Sequence, residues 1–229
     1  MILAVTGLRR EARILRGPGL TVLAGGGNRA GLERAMELAL DEEARGVISI
    51  GLGGALKPGV KPGDWVVAGA VVDGEDRWVT DEAWTAGLLH GLPDAKLGEI
   101  AGSDVMVADV AAKAALHAAT GALAVDMESH IVARAAARHG LPFAAARTIS
   151  DGADRALPRA AQAGMRPDGG MDVWGVLRAL ARRPGQLPAL VRTAIDAEDA
   201  FRALLRGREL LGPALGRGPD FGQLLVDVG

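Results

Sequence analysis

Two acidic segments hold the residues best suited to chemistry. Val125-Asp126-Met127-Glu128-Ser129 places two carboxylates where an apolar strand runs into a helix, and Ser150-Asp151-Gly152 follows a second apolar strand, Phe143–Ile149. Carboxylates at a helix N-terminus are stabilised by the helix dipole, which is the commoner reason for finding them there. A carboxylate in that position can instead accept hydrogen bonds from sugar hydroxyls. Asp151 belongs at the carboxyl edge of the sheet, where open α/β sheets bind their ligands, although Ser-Asp-Gly by itself is also an ordinary turn.

Two glycine clusters accompany the acids. Gly25-Gly26-Gly27-Asn28 follows the strand Leu20–Ala24 and opens a helix, where backbone N–H groups and the helix dipole can hold an anion. A tight strand-to-helix turn needs glycine for steric reasons alone, and the segment is neither a GxGxxG fingerprint nor a phosphate loop ending in Gly-Lys-Ser/Thr. Gly51-Leu52-Gly53-Gly54 follows Val47–Ile50 and leads to Lys61-Pro62-Gly63-Asp64. It reads either as room for a ligand to approach the backbone or as a wide turn. His90, His117, His130 and His139 are scattered without metal-ligand spacing, so no metal is predicted and surface or capping roles are expected.

The elements that must position these groups alternate between short apolar runs and amphipathic stretches, the pattern of a sheet with crossover helices. Ile2–Thr6, Leu20–Ala24, Val47–Ile50, Asp64–Val72, Lys96–Ile100, Leu123–Val125 and Phe143–Ile149 are predicted strands. Arg29–Ala44, Ala111–Ala119 and Met127–His139 are predicted helices, the last stopped by Gly140 and Pro142. Beyond Asp154 the spacing predicts a long loop over Arg155–Met171, helices over Val173–Arg183 and Leu187–Arg206, and a loosely ordered tail over 212–229.

Composition bounds the rest. A chain of 229 residues with 49% hydrophobic and 24% charged residues can bury a full α/β core, and one domain over 1–211 is expected, with 173–206 its C-terminal helical portion. A net charge of −2 argues against a general nucleic-acid binder. The absence of cysteine excludes disulfides and thiolate chemistry. The uncharged apolar stretch Gly46–Leu56 is too short for a membrane span, which needs about 20 residues. MILAVTGLRR does not read as a secretory signal, so a cytoplasmic protein is expected.

Taken in order and spacing, the strand ending at Gly7 with Glu11 nearby, the Gly-Gly-Gly-Asn turn, GLGGALKPGVKPGD, VDMES and RTISDGAD resemble the nucleoside phosphorylase and nucleosidase superfamily. Within it, the passage from Gly102 to Ala136 and the basic segment LARRPGQLPALV look most like the hopanoid-associated phosphorylases. The resemblance implies a single-domain, three-layer α/β/α fold with a central mixed, twisted sheet. The activity it implies is cleavage of the N-glycosidic bond of a purine nucleoside. For the closest subgroup that means adenosylhopane, inorganic phosphate as co-substrate and no cofactor, giving adenine and phosphoribosyl hopane.

The resemblance also assigns roles. Asp151 matches the acid that protonates the base at N7, and Glu128 matches the residue that binds the ribose hydroxyls, with Met127 against the sugar. Ser103, Asp104, Val105, Met106 and Ser150 map to the base site, where an aromatic stacker common among relatives is absent. Gly27, Asn28, Arg29, Arg9 and Gly53 are candidates to hold phosphate through backbone and guanidinium donors. The phosphate-binding Ser and Arg of purine nucleoside phosphorylases fall instead at Leu52 and Ser49.

Glu11 is the candidate base for the alternative reaction, hydrolysis of methylthioadenosine, adenosylhomocysteine or a related nucleoside. It matches the nucleosidase glutamate only with a one-residue deletion. A non-catalytic nucleoside-binding module is the reading from another class. The expected partners are a small-molecule or lipid-linked nucleoside and further copies of the chain as a homodimer or higher homo-oligomer, with no nucleic acid. Trp174, Leu177 and Leu180 beside Arg178, Arg182 and Arg183 suggest peripheral contact with the inner membrane face, against the plainer reading of core or dimer contacts.

Overall fold

A computed structural model of the chain describes residues 1–40, 44–92, 94–162, 169–170 and 172–218. The first half runs β1 (Ile2–Thr6), α1 (Arg9–Leu15), β2 (Leu20–Ala24), α2 (Arg29–Ala39), β3 (Gly46–Ala55), β4 (Trp65–Asp73), β5 (Asp76–Val79) and α3 (Glu82–Gly91). The second half runs β6 (Lys96–Gly102), α4 (Val110–Thr120), β7 (Ala124–Asp126), α5 (Ser129–Arg138), β8 (Phe143–Asp151), α6 (Arg159–Gln162), α7 (Val173–Arg182) and α8 (Leu187–Leu211).

The strands form one mixed eight-stranded sheet in the order β2-β1-β3-β7-β6-β4-β5, with β8 bridging β3 and β4. Because β8 pairs with both β3 and β4, while β7 pairs with both β3 and β6, five strands close on themselves in a ring. This is a mixed α/β domain with a central sheet. Alternating strand residues feed opposite faces, as the two-residue period of a strand requires. Leu3, Val5 and Val47 pack with Leu32 and Met36 of α2 and Ile131 and Val132 of α5. Ala4, Ile48 and Ile50 pack with Leu15 of α1, Trp84 and Leu88 of α3 and Leu204 of α8.

Several elements differ from the sequence reading. The glycine cluster after Ile50 is not a turn: β3 continues through Gly51–Ala55, parallel to β8 along most of its length. α1, α3 and β5 carry no clear periodic signal, since α1 is seven residues long, α3 contains two glycines and β5 is a charged four-residue edge strand. α2 ends at Ala39 rather than at Ala44: Leu40 is its C-cap, Ala44 is not helical, and 41–43 lie outside the described residues. The short helix α6 interrupts the long loop, part of which also lies outside the described residues.

The predicted loose tail is corrected over 212–218. Leu215 is fully buried beside Trp84, whose indole Nε1 donates to the Leu215 carbonyl at 2.9 Å. Residues 219–229 lie outside the described residues.

Candidate active site

One cavity of about 470 Å³ opens where the carboxyl ends of β1, β3, β7 and β8 meet α1 and α8. Its walls include Glu11, Asp126, Glu128 and Asp151, so acids from three separate chain segments converge there. All four acids are buried.

The acidic pair at the start of α5 divides its labour. Asp126 does the structural part: its carboxylate accepts from the Ser129 amide at 3.2 Å and from the Ser129 hydroxyl at 2.5 Å, and it forms an ion pair with Arg147. That leaves Glu128 facing the cavity. Burial, reinforced by the charge of Asp126 and more weakly by Glu11, pushes its carboxyl up to about 8, against the opposing pull of Arg147.

A stability consequence follows. The folded protein holds Glu128 neutral, so its contribution is complete below the ordinary carboxyl range near 4.5 and is lost as pH rises toward 8. Thermal melts should therefore show the wild type losing stability between pH 5 and pH 8. Glu128→Gln should flatten that slope and melt higher than wild type at pH 8. Parallel curves for the two proteins would refute the assignment.

Glu11 is the third residue of α1, and its carboxylate reaches back to accept from the Leu8 amide at 2.5 Å while its other oxygen accepts from the Leu52 amide at 2.6 Å. Burial raises its carboxyl, opposed by those two amides and by Arg147. The contact with Leu52 explains the glycine in front of it. A Cβ at Gly51 would stand 2.8 Å from Glu11 Oε1, one at Gly54 3.2 Å from Asp151 Oδ2, and one at Gly53 3.0 Å from the Val125 carbonyl oxygen and 3.2 Å from Arg147 Cγ. The glycines of β3 are bare so that functional groups from α1 and β8 can lie across the strand. Gly7 and Gly27 do the same for Glu128 and Met127, each with its nearest atom at 3.2 Å.

Asp151 ends β8. Ser150 Oγ lies 2.8 Å from Asp151 Oδ1 and 3.2 Å from the Gly53 carbonyl, and the other carboxylate oxygen accepts from the Nζ of Lys113. Lys113 has no exposure at all and also donates to the carbonyls of Gly152 at 2.8 Å and Arg155 at 3.0 Å. Under the cavity, Arg147 is buried among Asp126, Ser49 and Ser129, donating to the two hydroxyls at 2.6 and 3.1 Å. Lys113 and Arg147 were not singled out from the sequence. The available signal was that Lys113 is one of only four lysines against 22 arginines and stands in an alanine-rich helix.

Of the other sequence candidates, Met127, Val105, Met106 and Ser150 line the cavity, as do Gly27, Gly53 and Arg9. Four do not. Ser103 donates to the Val105 carbonyl at 2.7 Å, and Asp104 sits outside between Arg29 and the buried His130, which together hold its carboxyl below the usual range, His130 foremost. Asn28 caps α2 by accepting from the Gly31 amide, and Arg29 is paired with Asp104 and Glu33. Asn28 is spent on capping its own helix, while Ser103, Asp104 and Arg29 are engaged by neighbours outside the cavity. His130, expected in a surface or capping role, is fully buried and bonded to Asp104.

The sequence profile of the phosphorylase superfamily matches residues 19–181. Among solved structures, the 5′-methylthioadenosine/S-adenosylhomocysteine nucleosidase of Streptococcus pneumoniae is 17% identical, with 94% of this chain and 98% of that one covered and a TM-score of 0.64. The S-adenosylhomocysteine nucleosidase of Streptococcus pyogenes is 18% identical over 96% and 97% of the two chains, with a TM-score of 0.65. The futalosine hydrolase of Helicobacter pylori is 21% identical over 79% and 97%, with a TM-score of 0.60. No curated protein matches the sequence significantly. With a profile match spanning most of its length and a cavity walled by four convergent acids, the chain belongs to the phosphorylase superfamily.

Proposed function

We propose that the protein cleaves the N-glycosidic bond of a purine nucleoside, with Asp151 protonating the leaving base and Glu128 holding the ribose hydroxyls. The observation that carries this reading is that these two carboxyls, from opposite ends of α5 and β8, line one cavity. Departure of the base builds negative charge on the purine and positive charge on the ribose, so the site needs a proton donor at one end and an acceptor-rich surface at the other. Met127 supplies an apolar contact between them, and Val105 and Met106 form the wall against which the base packs.

Phosphate is the nucleophile in this reading, and adenosylhopane the substrate. Arg9, Gly27 and Gly53 on the cavity wall support an anion there, while Leu8, Leu52, Val107, Leu157 and Phe201 give the cavity an apolar side suited to a lipid 5′ substituent. The specific observation in favour of water is Glu11, a buried carboxyl in the same wall. The test is to incubate the protein with adenosylhopane and with methylthioadenosine, each with and without phosphate, and to identify the sugar product by mass spectrometry. A phosphoribosyl product that requires phosphate supports the proposal. A free sugar at equal rate without phosphate moves it to hydrolysis, and no base release from either nucleoside refutes it.

A lipid substrate requires the enzyme to reach a bilayer, and we assign that contact to the outer ridge of α7 and α8. Trp174, Leu177, Leu187, Val191 and Ile195 are exposed there beside the exposed Arg178, Arg182 and Arg183. Among the described residues no helix is long and apolar enough to cross a membrane. The wild type should sediment with anionic liposomes at low salt, and charge reversal at the three arginines should release it without loss of activity on a soluble nucleoside. Failure of the wild type to sediment would end this assignment.

A further inference from the structure

The cation behind Asp151 belongs to none of the roles assigned so far. Lys113 projects from the alanine-rich helix α4, and its side chain has no solvent exposure. An ammonium has three N–H donors, and the acceptors here number three: Asp151 Oδ2 and the carbonyls of Gly152 and Arg155. Burying an ammonium this completely is costly unless each of its donors is satisfied, and these three acceptors satisfy all three. All three lie on one stretch of chain, the end of β8 and the loop that follows it. Lys113 therefore pins the backbone on the far side of Asp151 as well as one of its carboxylate oxygens. The other oxygen is left beside the Ser150 hydroxyl.

We propose that Lys113 is a positioning residue for Asp151: it fixes the carboxyl's rotamer toward the leaving base and stabilises the carboxylate that forms as the base departs. The inference rests on the reading of Asp151 as the acid. In that step the O–H bond of the Asp151 carboxyl breaks as an N–H bond forms on the purine. The O–H electron pair stays on Asp151, and the electron pair of the glycosidic bond goes to the base. Negative charge thus appears on Asp151 beside a fixed ammonium in a water-poor site, an interaction stronger in the transition state than before it. A second contribution is geometric, because a carboxyl held by one oxygen loses the rotamers that would turn it away from the base.

The test is a double-mutant cycle between Lys113 and Asp151, measured as adenine release from a nucleoside the wild type cleaves. Lys113→Met keeps the length of the side chain and removes its donors. It should lower kcat by about 30-fold or more and leave KM within about threefold. In an Asp151→Asn background the same substitution should cost less than about threefold, because its effect passes through the carboxyl that is already gone. Thermal melting confirms that each protein is folded, and Lys113→Gln, which keeps one donor arm, carries the cycle if the methionine variant does not fold. Equal losses in both backgrounds, or a single variant within threefold of wild type, would overturn the proposal. If Asp151→Asn itself turns over like wild type, the reading of the acid fails and takes this inference with it. If Asp151→Asn is slow and the cycle is additive, only the role of Lys113 fails.

Discussion

Asp151→Asn should slow base release by about 10²–10⁴-fold, the range that a general acid commonly supplies. Asparagine has the size of aspartate and retains an oxygen for Lys113 and a polar atom for Ser150, so the fold should survive and the melting temperature should stay within a few degrees of wild type. The loss belongs in kcat, since the proton is needed only as the glycosidic bond breaks. Single-turnover release of adenine, followed by chromatography, measures it directly. Turnover near wild type would show that the base leaves without help from this carboxyl and would remove the acid from the site.

Arg147→Met should produce the largest loss of stability of any single change in the site. The guanidinium and the Asp126 carboxylate are each about 1% exposed, and removing the cation leaves a buried carboxylate with two serine hydroxyls that also lose a donor. Breaking a buried ion pair from one side costs about 3–5 kcal/mol. Denaturant titration should return a loss in that range, and adding Asp126→Asn should recover part of it, because the charge left stranded is then removed as well. A loss below about 1 kcal/mol would mean that Arg147 is not what holds Asp126.

The sequence exposed the strands and the acids far better than it exposed the groups that hold them. Asp151 and Glu128 were legible because each sits at the end of an apolar run, where a polar residue marks the sheet's edge. The Asp126–Arg147 and Asp151–Lys113 pairs join residues 21 and 38 positions apart, and nothing in local periodicity couples such distances. The same limit explains Asn28 and Arg29, which have the right chemistry for an anion but are engaged by Gly31, Glu33 and Asp104. In β3 the ambiguity was physical: glycine runs disfavour strands, and this one is held as a strand by β8 on one side and β7 on the other.

That strand also sets which parts of the molecule can be redesigned. Where Gly51, Gly53 and Gly54 pass under Glu11, Arg147 and Asp151, the strand is backbone and hydrogen, and a replacement side chain takes space from the side chain that lies across it. The opposite side is built from ordinary side chains, among them Leu8, Leu157 and Phe201, the last covered by the Arg10 guanidinium at 3.9 Å. Under the proposed function, a mutant library confined to that rim should explore new 5′ substituents while leaving Glu128 and Asp151 untouched. The same library on the three glycines has no neutral first step, so substrate scope in this scaffold is free to evolve from the rim and is locked at the floor.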